Sequence, residues 1–238
     1  MLDMVLKERQ KSILGAVIQE YVRTAEPVAS RALVRKGRFG VGPATIRNEM
    51  HTLEEQGYLV QPHTSAGRVP TDRGYRFFVD YLVEETDLSL PMRRALERAF
   101  DVEDEELFMK KLGKTCAHLS GMFVAVGGDD DEGWYRAGFN EVLDEPEFDD
   151  FENLKAFVRL ADTIDEEIVR TRREKDSFAD ARVLIGEENS WEDAREYSIA
   201  CTPWRHPAGF GGVVALIGPT RMDYARAISL INYLYEYR

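Results

Sequence analysis

Proline and glycine cut the first eighty residues at intervals that leave room only for short helices. Glu26-Pro27 stops the pattern of LKERQKSILGAVIQEYVRT, because the residue before a proline is pushed out of the helical region. In that stretch Ile13, Leu14, Val17, Ile18, Tyr21 and Val22 recur at helical spacing. Ser30 reads as the N-cap of a second helix, SRALVRK, closed by Gly37. Gly42-Pro43 opens a third, PATIRNEMHTLEEQG, with Pro at its tolerant first position and Gly57 past its end. A turn-rich loop between YLVQP and RVP follows, and then Thr71 reads as the cap of DRGYRFFVDYLVEE, with Tyr75, Phe78, Val79 and Leu82 facing inward.

Three short helices and then a hairpin is the order of a winged helix-turn-helix. In the third helix Ile46, Met50 and Leu53 form the buried stripe, and Ala44, Asn48 and His51 point away from it, flanked by Arg47. Thr45, Arg47, Asn48 and His51 are short or forked hydrogen-bonding side chains of the kind that read base edges in a major groove. The hairpin loop would be the wing. Gly67 permits a tight turn there, and Arg31, His63, Thr64, Ser65 and Arg68 can reach phosphates or the minor groove. A winged fold can also dock proteins, so periodicity alone leaves both readings open.

Charge is unevenly spread along the chain. The whole chain has a formal net charge of −12. Residues 1–80 hold 12 Lys/Arg against 9 Asp/Glu, a net of +3, whereas residues 81–238 hold 19 against 34, a net of −15. A mildly basic module is joined to a strongly acidic one, and the local field at a contact face decides docking to an anion. Cys116 and Cys201 are the only cysteines, no apolar run approaches a membrane span, and the start lacks a signal-peptide pattern. A cytoplasmic protein without a membrane partner is expected.

TDLSLP, Thr86 to Pro91, breaks the helical pattern and marks a boundary. The expected organisation is a DNA-binding module over 1–85, a helical linker over 86–102 and a second domain over 103–238. Helices are predicted around Pro91–Phe100 and Glu103–Ser120. MFVAV, WYRAG, ARVLIG, YSIACTPW and GGVVALIG read as strands by apolar, partly β-branched content between Gly and Pro. FDDFENLKAFVRLAD and IDEEIVRTRRE read as helical stretches, and the chain closes on the helix of TRMDYARAISLINYLYEY, with Thr220 and Asp223 as a capping pair. This mixed order predicts an α+β domain with one antiparallel sheet.

Several patterns have a plainer reading than the chemistry they suggest. GDDDEG, Gly128 to Gly133, lacks the alternating ligands and distal Glu of a calcium loop and reads as a solvated turn. Cys116-Ala-His118 is too tightly spaced for zinc pairs. Asp165-Glu166-Glu167 could suggest acid/base catalysis, but Arg170, Arg172 and Arg173 beside it make a salt-bridged surface. GFGG, Gly209 to Gly212, precedes a strand, the wrong context for a dinucleotide site. No cofactor, metal or enzymatic activity is expected.

The motifs EPV-SR, PATIRN, LEE-GYL and QPHTSAGR-PTD-GYRF-VDYL make the first module resemble the winged helix of the heat-inducible transcription repressor (HrcA) family almost throughout. Gly42 stands where family members commonly have Ser, which weakens the cap by only a few tenths of a kcal/mol (~0.3). NEVLDEPEF, VLIGEEN and GGVVALIGPTRMDYARAISLINYL resemble that family's GAF-like domain. Between MFVAV and WYRAG family members carry a long segment that includes a dimerisation insertion, and here only GGDDDEG connects the two. The resemblance implies a bacterial repressor of chaperone operons. It would bind double-stranded DNA at an inverted-repeat operator as a homodimer, block transcription and respond to a chaperonin. Without the insertion, the helix of Tyr75, Phe78 and Leu82 and the helix at Met92–Phe100 are the expected dimer faces. Two other classes are a ligand-responsive regulator that senses a small molecule in the GAF-like domain, and a protein-interaction module that has lost DNA binding.

Overall fold

The structure, a computed structural model, describes residues 6–35, 39–84, 86–129, 133–175 and 180–237. The chain divides into two compact units, Met1–Glu84 and Glu85–Arg238. Helices and antiparallel sheets make up both, an α+β architecture.

The first unit begins with α1 (Glu8–Thr24), α2 (Ser30–Arg35) and α3 (Pro43–Glu55). α1 ends on Ala25, whose φ of 54° is left-handed and whose N–H bonds to the Tyr21 carbonyl. Its Ile13, Leu14, Val17 and Ile18 are buried, as their spacing predicts. Ser30 is not a cap: it is the first residue of α2 and is itself buried. The Gly37 expected to close α2 lies outside the described residues.

Pro43 sits at the head of α3, where its missing N–H costs nothing, and Ile46, Met50 and Leu53 bury the helix. The chain then forms β1 (Leu59–Val60) and β2 (Val69–Pro70), antiparallel with Leu59 opposite Pro70 and Val60 opposite Val69. Thr71 caps α4 (Asp72–Tyr81): its Oγ1 accepts the Gly74 N–H at 3.1 Å. Tyr75 and Phe78 are 2% and 7% exposed, so the face of α4 expected to join two copies is spent inside the unit.

The second unit starts with α5 (Leu90–Phe100) and α6 (Glu105–Ser120), the latter capped by Asp104. α5 buries Leu96, Ala99 and Phe100, and Phe100 packs against Phe108 of α6, so this expected dimer face is also largely consumed within its own unit. The remaining elements are β3 (Phe123–Gly128), β4 (Trp134–Ala137), α7 (Phe139–Leu143), α8 (Phe151–Lys175), β5 (Arg182–Ile185), β6 (Tyr197–Arg205), β7 (Gly211–Pro219) and α9 (Tyr224–Glu236). The strands form one antiparallel sheet in the order β4-β3-β7-β6-β5.

Both faces of that sheet are covered, which is why its central strands read as continuous apolar runs rather than alternations. Phe123, Ala125, Ile199, Cys201, Val213, Ala215 and Ile217 face Phe157, Leu160, Ile164 and Ile168 of α8. The alternate residues meet α6 and α9: Trp204 packs on Phe108, and Ser198 Oγ bonds Tyr224 Oη at 2.8 Å. α8 is one helix where the sequence suggested two stretches, because no Gly or Pro separates Asp162 from Ile164. Asp223 alone caps α9, through the Arg226 N–H at 3.1 Å.

Candidate nucleic-acid interface

α3 divides its residues cleanly. With Ile46, Met50 and Leu53 turned inward, Ala44, Arg47, Asn48 and His51 form an exposed stripe on the other side, and Thr45 lies half-buried at its edge. His51 stays by its own helix: its Nδ1 is 3.4 Å from Glu54 Oε2 and its Nε2 is 3.7 Å from Glu55 Oε1. Among the described residues no carboxylate ion-pairs with Arg47 or with the exposed Arg31 of α2. Among those residues nothing neutralises their charge, which suits them to contact phosphates or bases.

The loop between β1 and β2 is tied down on three sides. Gln61 Nε2 donates to the Thr64 carbonyl at 3.1 Å and the Ala66 carbonyl at 2.9 Å, and Ala66 N–H donates to His63 at 2.9 Å. Val28, just before α2, exchanges two backbone hydrogen bonds of 2.9 Å with Arg68. Gly67 is there for this contact rather than for a turn, since a Cβ on it would lie 2.4 Å from the Val28 carbonyl carbon and oxygen. His63, Thr64 and Ser65 are left exposed at the tip.

Between α3 and this loop runs a groove of about 370 Å³ lined by Ser30, Arg47, Gln61, Thr64, Ser65 and Arg68 among others. It brings together four of the side chains singled out in the sequence: Arg47, Thr64, Ser65 and Arg68. Arg31, Thr45, Asn48, His51 and His63 do not line it. Arg68 is the one that differs from expectation. Its side chain is only 15% exposed, and its Nε and Nη2 lie 3.0 and 2.9 Å from Glu54 Oε2. Its guanidinium is turned to α3 rather than outward.

The other constellations are structural. Arg136 Nη2 meets Asp165 Oδ2 at 2.7 Å, and Glu167 pairs with Arg170. The side chains of Arg172 and Arg173 lie outside the described residues, as do Asp130, Asp131 and Glu132 of the acidic turn. Cys116 is buried while His118 is exposed, so the two do not form a pair. Among the described residues no three His, Cys, Asp or Glu side chains cluster to hold a metal ion, and no helix is long and apolar enough to cross a membrane.

Glu54, Val28 and Gln61 escaped the sequence reading. The signals for Glu54 are its place in the LEE-GYL motif and an acidic pair, Glu54-Glu55, at the end of the helix expected to meet an anion.

Residues 79–228 match the family model described as the HrcA protein C terminal domain. The heat-inducible transcription repressor HrcA of Acetivibrio thermocellus is 28% identical over 335 aligned positions, covering 97% of this chain and 95% of the relative. Those 335 positions exceed the 238 residues of the chain by 97, so at least 97 positions of the relative have no counterpart here. The heat-inducible transcription repressor HrcA of Streptomyces albus G is 51% identical over 126 residues, covering 51% of this chain and 36% of the relative. A crystal structure of a hypothetical protein at 2.2 Å resolution shares the fold, with a TM-score of 0.77, 20% identity and 98% of each chain covered.

Proposed function

The chain belongs to the heat-inducible transcription repressor (HrcA) family, and we propose that it represses heat-shock genes by binding duplex DNA through its first unit. In this reading the first unit is a winged helix-turn-helix and α3 its recognition helix. Thr45, Arg47, Asn48 and His51 read base edges in the major groove, where a forked Arg or an Asn amide can make two hydrogen bonds to one base. Arg31, His63, Thr64 and Ser65 anchor phosphates or the minor groove, and Arg68 serves the same surface from within the loop. The second unit is a GAF-like domain. Two copies occupy an inverted-repeat operator and exclude polymerase, and a chaperonin modulates the activity.

One observation carries this reading. The exposed stripe of α3, with an Arg47 that no described carboxylate neutralises, stands across a groove from the exposed loop of His63 to Ser65. A helix face that presents an unneutralised arginine and hydrogen-bonding side chains beside a polar loop is the chemistry needed to enter one groove and touch the backbone next to it. In the test, the full chain selects its preferred duplex from a random-sequence library. Arg47→Ala and Asn48→Ala are then titrated onto that duplex. Each should cost roughly 1–3 kcal/mol on the selected site. Thermal unfolding should be unchanged, because both side chains point away from Ile46, Met50 and Leu53. If both variants bind like the parent, α3 does not read the DNA.

A further inference from the structure

Arg68 poses a problem for a simple view of the interface. A wing arginine that grips phosphate should be free in the absence of DNA. Here it is mostly buried and held through two nitrogens by one carboxylate oxygen of Glu54. Glu54 closes a helix that is meant to meet a polyanion, where an unneutralised carboxylate is unfavourable. The same oxygen lies 3.4 Å from His51 Nδ1 on the exposed stripe. The Arg68 backbone is meanwhile paired with Val28, and Gly67 is pressed against the Val28 carbonyl.

We propose that Glu54 is a positioning residue for DNA recognition: through Arg68 it clamps the 61–68 loop to the end of α3, so that the helix stripe and the loop tip form one preformed surface. The inference rests on the DNA-binding reading above. α3 reaches the loop through Glu54–Arg68, and the stretch before α2 reaches it through Val28–Arg68, so a single residue ties the tip to both neighbours. Gln61 holds the tip from within by taking up the carbonyls of Thr64 and Ala66. Fixing a contact loop in its bound arrangement raises affinity by removing the cost of ordering it on binding. Glu54 contributes this without touching DNA, and its own charge is neutralised by the arginine it holds.

The sign of one substitution separates a clamp from a phosphate anchor. If Arg68 gripped phosphate, removing the carboxylate at Glu54 would strengthen binding, and Arg68→Ala would lower the salt slope by about one. A clamp has the opposite signature. Affinities of the full chain, Glu54→Ala, Arg68→Ala, the double variant and the swapped pair Glu54→Arg/Arg68→Glu are measured at several salt concentrations on the duplex the parent selects from a random library. Titration at high duplex concentration fixes the active fraction of each, so a variant that merely unfolds is recognised, and the swapped pair then carries the test. Each single variant should bind about tenfold more weakly, and the double variant no more weakly than the worse single, as coupled residues behave. The swapped pair should recover most of the loss, and the salt slope of Arg68→Ala should match the parent. Glu54→Ala binding as tightly as the parent or more tightly, or a swapped pair without recovery, overturns the clamp alone. A parent chain that enriches no duplex overturns the DNA-binding reading and the clamp with it.

Discussion

Arg47 and Arg68 belong to the same basic module, and their surroundings give them different work: one meets no described carboxylate, the other is held by Glu54. Sequence distinguishes them poorly, because what separates them is a partner fourteen residues away rather than anything adjacent. The residues that mark the second unit's resemblance are likewise structural. Asn189 of VLIGEEN points its amide at the carbonyls of Gly186, Ala194 and Tyr197, each at 3.0 Å, and so closes the loop between β5 and β6. Arg221 of GPTRMD is buried and pairs with Glu145 and Glu147 of LDEPEF, which joins two motifs that are remote in the chain. In this chain these residues hold the fold together. The cysteines are a third case. Burial pushes the thiols of Cys116 and Cys201 up to about 12, the latter against the pull of Arg182. Since only the thiolate is a good nucleophile, a disulfide reagent at about pH 8 should label neither in the native chain and both after denaturation. Rapid native labelling would place at least one thiol at the surface.

Elements were legible where periodicity and punctuation agreed. The stripe of Ile46, Met50 and Leu53, the Thr71 cap and the five strands of the second unit all follow from local pattern. What local pattern could not carry was the tertiary tie of the 61–68 loop. The Val28–Arg68 bridge turns an expected free loop into a pinned one, and it changes the reason for Gly67 from turn-making to close approach. Ser30 also departs from its local pattern: a Ser before an apolar run is a good cap in isolation, but this one lies inside the helix and is buried. Gly67→Ala tests the pinned loop as an element. Its Cβ would sit 2.4 Å from the backbone of Val28, so the loop or the stretch before α2 must move. Overpacking of this kind costs roughly 1–3 kcal/mol of stability. The unfolding transition should fall accordingly, and affinity for the selected duplex should fall with it. A variant as stable and as tight as the parent would show that the bridge is soft and the loop not fixed.

For the whole molecule, charge sets the first requirement. Residues 81–238 have a net charge of −15 and repel DNA, so attraction has to be concentrated in the first unit and must be sensitive to salt. Recognition sets the second. A single small module has too little interface for tight specific binding, and a palindromic site calls for two-fold symmetry in the protein. The faces of α4 and α5 expected to join two copies are largely spent on internal packing, which leaves Tyr81 and Leu90, 69% and 60% exposed, as their apolar remainder. Light scattering of the full chain on operator DNA should still give a protein mass of twice 27.2 kDa. A single copy per site would assign the chain a different mode of repression. Nuclease footprinting of the full chain on DNA upstream of the chaperone genes in its own genome tests the DNA-binding repressor reading itself. Two protected half-sites in inverted repeat, about one DNA turn or a multiple of it apart, should appear at low salt and fade as salt rises. Upstream DNA left evenly cleaved at low salt, with the chain folded and in excess, would contradict it.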